Sequence, residues 1–243
     1  MKPIVLTAST DMELAVLVER LGAAPLHGLG HLKAWRSALE AGEVILAVTG
    51  IGKVNAACAA TLLLERLAPR LLINTGCGGA IAGSGLEVGD LALASSECFP
   101  EEGVQTPQGW RGLDLIGIPT AVRGERAIFN EVPLDAALAR QALQFAGEQG
   151  FRAVLGPFHT VSTCSGTAER GMELAARYPG ICENMEGAAL AQVAFIYDTP
   201  FLEVRGISNL VEDRDLSRWN LKLAVTEAQN FLIKFLQFSG FPS

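Results

Sequence analysis

Short apolar runs rich in β-branched residues alternate along the chain with longer segments whose apolar positions recur at helical spacing. That is the pattern of a sheet with helices on its faces. The runs predict strands at Pro3–Ala8, Val44–Thr49, Leu71–Asn74, Gly89–Ala94, Ala153–Ser162, Ile181–Asn184 and Phe201–Ile207. Helices are predicted at Met12–Leu21, Asn55–Leu67, Leu134–Gln149, Ala168–Tyr178, Gly187–Tyr197 and Ser217–Phe238. In the second of these, Ala56, Ala59, Ala60, Leu63, Leu64 and Leu67 fall on one face, which marks them as scaffold. From Ser95 to Val132 prolines and glycines interrupt the pattern, and this irregular stretch reads as a substrate-side insertion. No linker, low-complexity tract or internal repeat divides the chain, so residues 1–243 are expected to form a single α/β domain.

Composition narrows the partners. The chain has 243 residues, of which 49% are hydrophobic and 19% charged, enough apolar material for a large core. A net charge of −7 argues against nucleic acid, whose phosphates call for a basic surface. The uncharged stretch Leu71–Leu86 holds five glycines with Asn74, Thr75 and Ser84, so no membrane span is expected. The opening Met-Lys-Pro-Ile-Val-Leu-Thr runs straight into a strand pattern and lacks signal-peptide character, so a cytoplasmic protein is expected. Five cysteines, widely spaced and without a Cys-x-x-Cys pair, indicate neither a disulfide framework nor zinc. His27 and His31 are separated by Gly28 and Gly30 and read as loop, so no metal site is expected.

Three glycine-rich turns are expected after strands: Thr49-Gly50-Ile51-Gly52-Lys53, Asn74-Thr75-Gly76-Cys77-Gly78-Gly79 and Thr163-Cys164-Ser165-Gly166-Thr167. None fits the dinucleotide fingerprint or the phosphate loop, so nicotinamide cofactors and ATP are disfavoured and no cofactor is expected. What they offer is close backbone approach at strand ends, where open α/β sheets place their ligands. Carboxylates lie near the same points. Glu13 follows the first strand, where it also suits a helix start. Glu186 lies among Met185, Gly187, Ala188, Ala189 and Leu190, a buried setting in which a carboxylate needs a partner. Arg205, Ser208 and Asn209 close the last strand, ahead of a charged loop at Glu212-Asp213-Arg214-Asp215.

The segments Asn74-Thr75-Gly76-Cys77-Gly78-Gly79-Ala80, Glu183-Asn184-Met185-Glu186-Gly187-Ala188-Ala189 and Pro200-Phe201-Leu202-Glu203-Val204-Arg205-Gly206-Ile207-Ser208-Asn209 resemble the purine nucleoside phosphorylase and nucleosidase superfamily. The chain is similar to the methylthioadenosine/S-adenosylhomocysteine nucleosidases. It looks closer still to the futalosine hydrolases, through Glu102-Gly103-Val104-Gln105-Thr106-Pro107-Gln108-Gly109-Trp110, Ile116-Gly117-Ile118-Pro119 and Asn209-Leu210-Val211-Glu212-Asp213-Arg214-Asp215 with Trp219-Asn220.

The resemblance implies a nucleoside phosphorylase-like fold, a mixed twisted sheet flanked by helices, a purine nucleoside substrate, no cofactor, and a homo-oligomer of at least two chains. It implies Glu13 on an attacking water, Glu186 on the ribose hydroxyls with Met185 as an apolar sugar contact, and Gly78, Cys77, Arg205 and Ser208 around the substrate. Asn209 is expected on the base, where adenine-specific relatives carry aspartate. An amide donates through NH₂, which suits N7 and O6 of a 6-oxopurine. Protonation of the departing base is left to solvent, to Asp213 or Asp215, or to hydrogen bonding alone. Cys77 replaces a common serine and reads as a packing residue. Arg123, Arg126 and Phe129 are candidates for a side-arm subsite, and Arg36 is the distant arginine that a phosphate cradle would require. An inosine-type phosphorylase and a non-catalytic purine-binding or storage protein are the other readings.

Overall fold

A computed structural model describes residues 2–40 and 42–237. Its strands are β1 (Ile4–Ala8), β2 (Ala24–Leu26), β3 (Lys33–Leu39), β4 (Gly42–Val48), β5 (Leu71–Ala80), β6 (Leu91–Cys98), β7 (Val104–Thr106), β8 (Gly109–Arg111), β9 (Ala121–Arg123), β10 (Arg126–Ile128), β11 (Glu131–Pro133), β12 (Ala153–Thr160), β13 (Cys182–Asn184) and β14 (Phe201–Leu210). Its helices are α1 (Ala15–Arg20), α2 (Lys53–Leu67), α3 (Ala136–Glu148), α4 (Ala168–Arg177), α5 (Gly187–Ile196) and α6 (Leu221–Leu236).

Ten strands form one mixed sheet in the order β11-β6-β12-β13-β5-β1-β4-β3-β2, with β14 bridging β5 and β6. β1 runs parallel to both β4 and β5, and β5 runs parallel to β14, so the C-terminal ends of these four strands share one edge of the molecule. β14 also pairs antiparallel with β6, while β6, β12, β13 and β5 pair in succession. The sheet therefore closes on itself at that end. Alternation along β1 and β5 sends Ile4, Leu6, Leu71 and Ile73 into one core with residues of α1, α3 and α6. Val5 and Leu72 go into a second core with α2 and α5. Both faces of the sheet are thus covered by helices, as expected.

Several predicted boundaries move, each for a physical reason. The segment Gly76–Gly79 is not a turn: β5 runs through it to Ala80, because β14 supplies a parallel partner over this length. β14 likewise extends past Ile207, which places Asn209 inside the strand. The Met12–Leu21 helix divides into a 3-10 turn at Asp11–Glu13 and the short α1. The last helix starts at Leu221, where the Asn220 side chain accepts from the Leu223 N–H at 3.0 Å. Phe238, its predicted end, lies outside the described residues. Strands β2 and β3 form an edge hairpin that the sequence pattern did not reveal. The insertion holds only three-residue strands in two small hairpins and a 3-10 turn, apart from β11, which joins the main sheet.

Candidate active site

The parallel strands deliver Glu13 from the turn after β1 and Gly52 from the turn after β4. Cys77 and Gly78 come from β5, and Arg205, Ser208 and Asn209 from β14. β13 and the start of α5 add Glu183, Asn184, Met185 and Glu186. A cavity of about 280 Å³ opens at this edge, and all eight expected site residues line it: Glu13, Cys77, Gly78, Met185, Glu186, Arg205, Ser208 and Asn209. Met12, Ile51, Cys164, Trp219 and Leu221 complete an apolar wall.

Glu13 is 3% exposed and pinned at both oxygens. Its Oε2 accepts from Ser9 Oγ at 2.6 Å, and from the Thr10 N–H and Thr10 Oγ1 at 2.9 Å each. Its Oε1 accepts from the Cys77 N–H at 3.0 Å. That approach requires Gly76, where a Cβ would lie 2.5 Å from Glu13 Oε1 and 2.7 Å from Arg205 Nη1. Oε2 is saturated with donors, whereas Oε1 keeps a lone pair for a ligand.

Glu186 sits at the N-terminus of α2. Its Oε1 accepts from the Gly52 N–H at 2.9 Å, and its Oε2 accepts from Arg205 Nη2 at 3.3 Å. The helix dipole favours an anion at this place. Burial raises the Glu186 pKa above the usual carboxylate range, with Arg205 and the Gly52 N–H acting against it. Each oxygen retains one acceptor site toward the cavity.

Arg205 lies between the two carboxylates. Nη1 donates to the Cys77 carbonyl at 3.2 Å, Nε to Glu203 Oε1 at 2.8 Å, and Nη2 to Glu186. Burial opposes its charge, but Glu203, Glu186 and Glu13 together outweigh that and hold the guanidinium well above its ordinary pKa. Among the described residues lining the cavity, Arg205 is the one cationic side chain, and four of its five N–H donors meet protein acceptors. Arg36 pairs instead with Glu43 on the edge hairpin, so it supplies no phosphate cradle.

Asn209 Nδ2 donates to the Leu210 carbonyl at 2.9 Å, which fixes the amide orientation, and Oδ1 accepts from Ser208 Oγ at 2.8 Å. The second Nδ2 hydrogen is thus left as a donor. Burial and then the Glu13 charge push the Cys77 thiol up to about 12, which fits a packing residue rather than a nucleophile.

Three expectations are corrected. Arg123 and Arg126 do not line this cavity: the β9–β10 hairpin packs on α5, both guanidinium groups lie over Phe195, and Arg123 pairs with Asp198 beside a separate cavity of about 210 Å³. Phe129 is likewise absent from the lining. Asp213 accepts from the Ala168 N–H at the start of α4, and Asp215 accepts from the Ser217 N–H and Oγ, so both carboxylates serve as caps and neither lines the cavity.

Sequence reasoning missed Ser9 and Thr10 as the holders of Glu13, although Thr-x-x-Glu is a legible capping pattern. It also missed Ser165, whose N–H and Oγ donate to Glu183 at 2.8 and 2.5 Å, and Trp219.

Residues 3–237 match the family described as the phosphorylase superfamily. The chain belongs to that family. Among its relatives is a futalosine hydrolase of Thermus thermophilus, 33% identical over 207 residues, covering 85% of this chain and 87% of the relative. Another is a 5'-methylthioadenosine/S-adenosylhomocysteine nucleosidase of Maridesulfovibrio salexigens, 30% identical over 207 residues and 85% of each chain. A crystal structure of the latter type of nucleosidase, from Neisseria meningitidis in complex with methylthio-immucillin-A, superposes with a TM-score of 0.83 at 22% identity. It covers 98% of this chain and 99% of that one. This phosphorylase-superfamily chain therefore shares its fold with solved nucleosidases.

Proposed function

We propose that this protein hydrolyses the N-glycosidic bond of a purine nucleoside, and that the nucleoside is futalosine, cleaved to hypoxanthine and dehypoxanthine futalosine. The observation that carries hydrolysis is the placement of Glu13 and Glu186 on one cavity with Arg205 between them. Breaking the bond leaves an oxocarbenium-like ribosyl centre, which calls for a held nucleophile and a grip on the sugar. Glu13 Oε1 holds and deprotonates the water. Glu186 accepts from the 2′ and 3′ hydroxyls, contacts that strengthen as positive charge develops on the ring. Met185 packs against the sugar. Phosphate is a poor nucleophile here, because most Arg205 donors are taken and two carboxylates would repel it.

Asn209 supports the finer assignment. Its amide offers the base a donor, which meets acceptors at N7 and O6 of hypoxanthine, whereas adenine presents an amino group at that edge. Several relatives are methylthioadenosine/S-adenosylhomocysteine nucleosidases, which is the second reading. Chromatography of the released base separates the two: the proposal expects hypoxanthine from futalosine without added phosphate. Rapid adenine release from methylthioadenosine with futalosine untouched would assign the adenine-specific activity.

A second copy of the chain is proposed to cover the cavity mouth, where the lining residues Met12 and Ile51 are exposed, and to reach Val54 at the start of α2, which is 84% exposed. Light scattering of Val54→Asp against wild type tests this, with a shift from dimer to monomer expected.

A further inference from the structure

Beneath the cavity, two glutamates with no part in the steps above meet in the core. Glu97 near the end of β6 and Glu203 near the start of β14 are both 0% exposed. Glu97 Oε2 accepts from Thr160 Oγ1 at 2.7 Å, and its Oε1 from Asn184 Nδ2 at 2.9 Å. Glu203 Oε1 accepts from Asn74 Nδ2 at 3.0 Å and Arg205 Nε at 2.8 Å. Both carboxyls crowd Gly187, where a Cβ would stand 2.1 Å from Glu97 Oε1 and 2.3 Å from Glu203 Oε2. Glycine at 187 is thus what lets them meet. Among the described residues, Glu203 Oε2 has no amide, hydroxyl or guanidinium donor, and it faces Glu97.

Two ionised carboxylates cannot face each other in a dry core, so one of them is an acid. Glu203 touches the guanidinium, so the geometry favours the negative charge on that member. Glu97 has only neutral donors, and burial followed by the Glu203 charge raises its pKa. One proton on the pair leaves it a single negative charge, and Arg205, which also pairs with Glu186, then faces one charge from below in place of two. The consequences reach the cavity: Asn184, held by Glu97, accepts through Oδ1 from the Glu186 N–H at 2.9 Å and the Gly187 N–H at 2.7 Å. Arg205, held by Glu203, donates to the Glu186 carboxylate.

We propose that Glu97 and Glu203 share one proton and form the positioning unit of the site. Glu97, as the acid, donates to Glu203 and orients Asn184; Glu203, as the anion, orients Arg205; together they present Glu186 to the cavity. Only the activity arm of the test rests on the nucleosidase reading. At neutral pH, the infrared difference spectrum of wild type against Glu97→Gln is expected to show a protonated-carboxyl carbonyl band that the variant lacks. Absence of that band overturns the proposal without touching the proposed function, which wild-type base release judges by itself.

With the nucleoside that the wild type cleaves, Glu203→Gln is expected to raise KM at least tenfold. Glu97→Ala should do the same, while Glu97→Gln, which still donates to Glu203 but gives up one acceptor, is expected to lose clearly less than Glu97→Ala. Equal losses for Glu97→Gln and Glu97→Ala, in step with their melting temperatures, would reduce the pair to packing and overturn the proposal. If Glu203→Gln does not fold, the spectrum and the Glu97 contrast still decide it.

Discussion

Glu13 sits on a short 3-10 turn after β1 and is held by neutral groups: two hydroxyls and two backbone N–H donors. Glu186, across the same cavity, starts a helix and is held by a guanidinium and a helix N-terminus. Three donors fall on one oxygen of Glu13 and leave the other with the Cys77 N–H and a free lone pair, whereas the partners of Glu186 divide evenly between its two oxygens. The first arrangement suits a base that moves a single proton. The second suits a grip on two neighbouring hydroxyls. Identical side chains thereby acquire different chemistry from their surroundings alone.

The sharpest way to break this contrast is Glu13→Gln, which is expected to lower kcat by about 10²–10⁴-fold, the range of a lost general base. Nucleoside binding by calorimetry should change little, and unchanged turnover would remove Glu13 from the chemistry. Glu186→Gln is expected to act on both parameters: a loss of about 10–100-fold in kcat/KM, shared between KM and kcat, as a charge-assisted contact that strengthens in the transition state is weakened.

The pH profile sharpens the same point. Burial raises the Glu186 pKa, so its acceptor form is lost at a higher pH than for a free carboxyl near about 4.3. The acid limb of kcat/KM should therefore lie above that value in the wild type and lose its Glu186 component in Glu186→Gln. The smallest effect is expected from Thr10→Ala. It leaves Ser9 and Cys77 on Glu13, lowers kcat about fivefold, and costs about 1 kcal/mol in a melting experiment as the cap is lost.

Much of this site was legible because its residues lie in short contiguous segments at strand ends. Asn74–Ala80, Glu183–Ala189 and Pro200–Asn209 each carry several lining residues, and the family resemblance orders them. The alternation of apolar residues revealed the two cores for the same reason: it is a local signal. What escaped depends on partners distant in sequence. Gly76–Gly79 reads as a turn until β14 lies beside it as a parallel partner. Arg123 and Arg126 look like anion ligands until their hairpin is found packed on α5. Glu97 and Glu203 are single acidic letters in apolar strands, and their meaning emerges only when the sheet sets them against each other over Gly187.

The strand circuit through β5, β14, β6, β12 and β13 has a mechanical consequence. A hoop has no end from which to fray, so this side of the sheet offers no bare backbone for another molecule to zip onto. Amides along Leu72–Ile73 and Leu202–Val204 should be among the last to exchange with deuterium, and traffic of small molecules must depend on the surrounding loops while the ring itself stays shut.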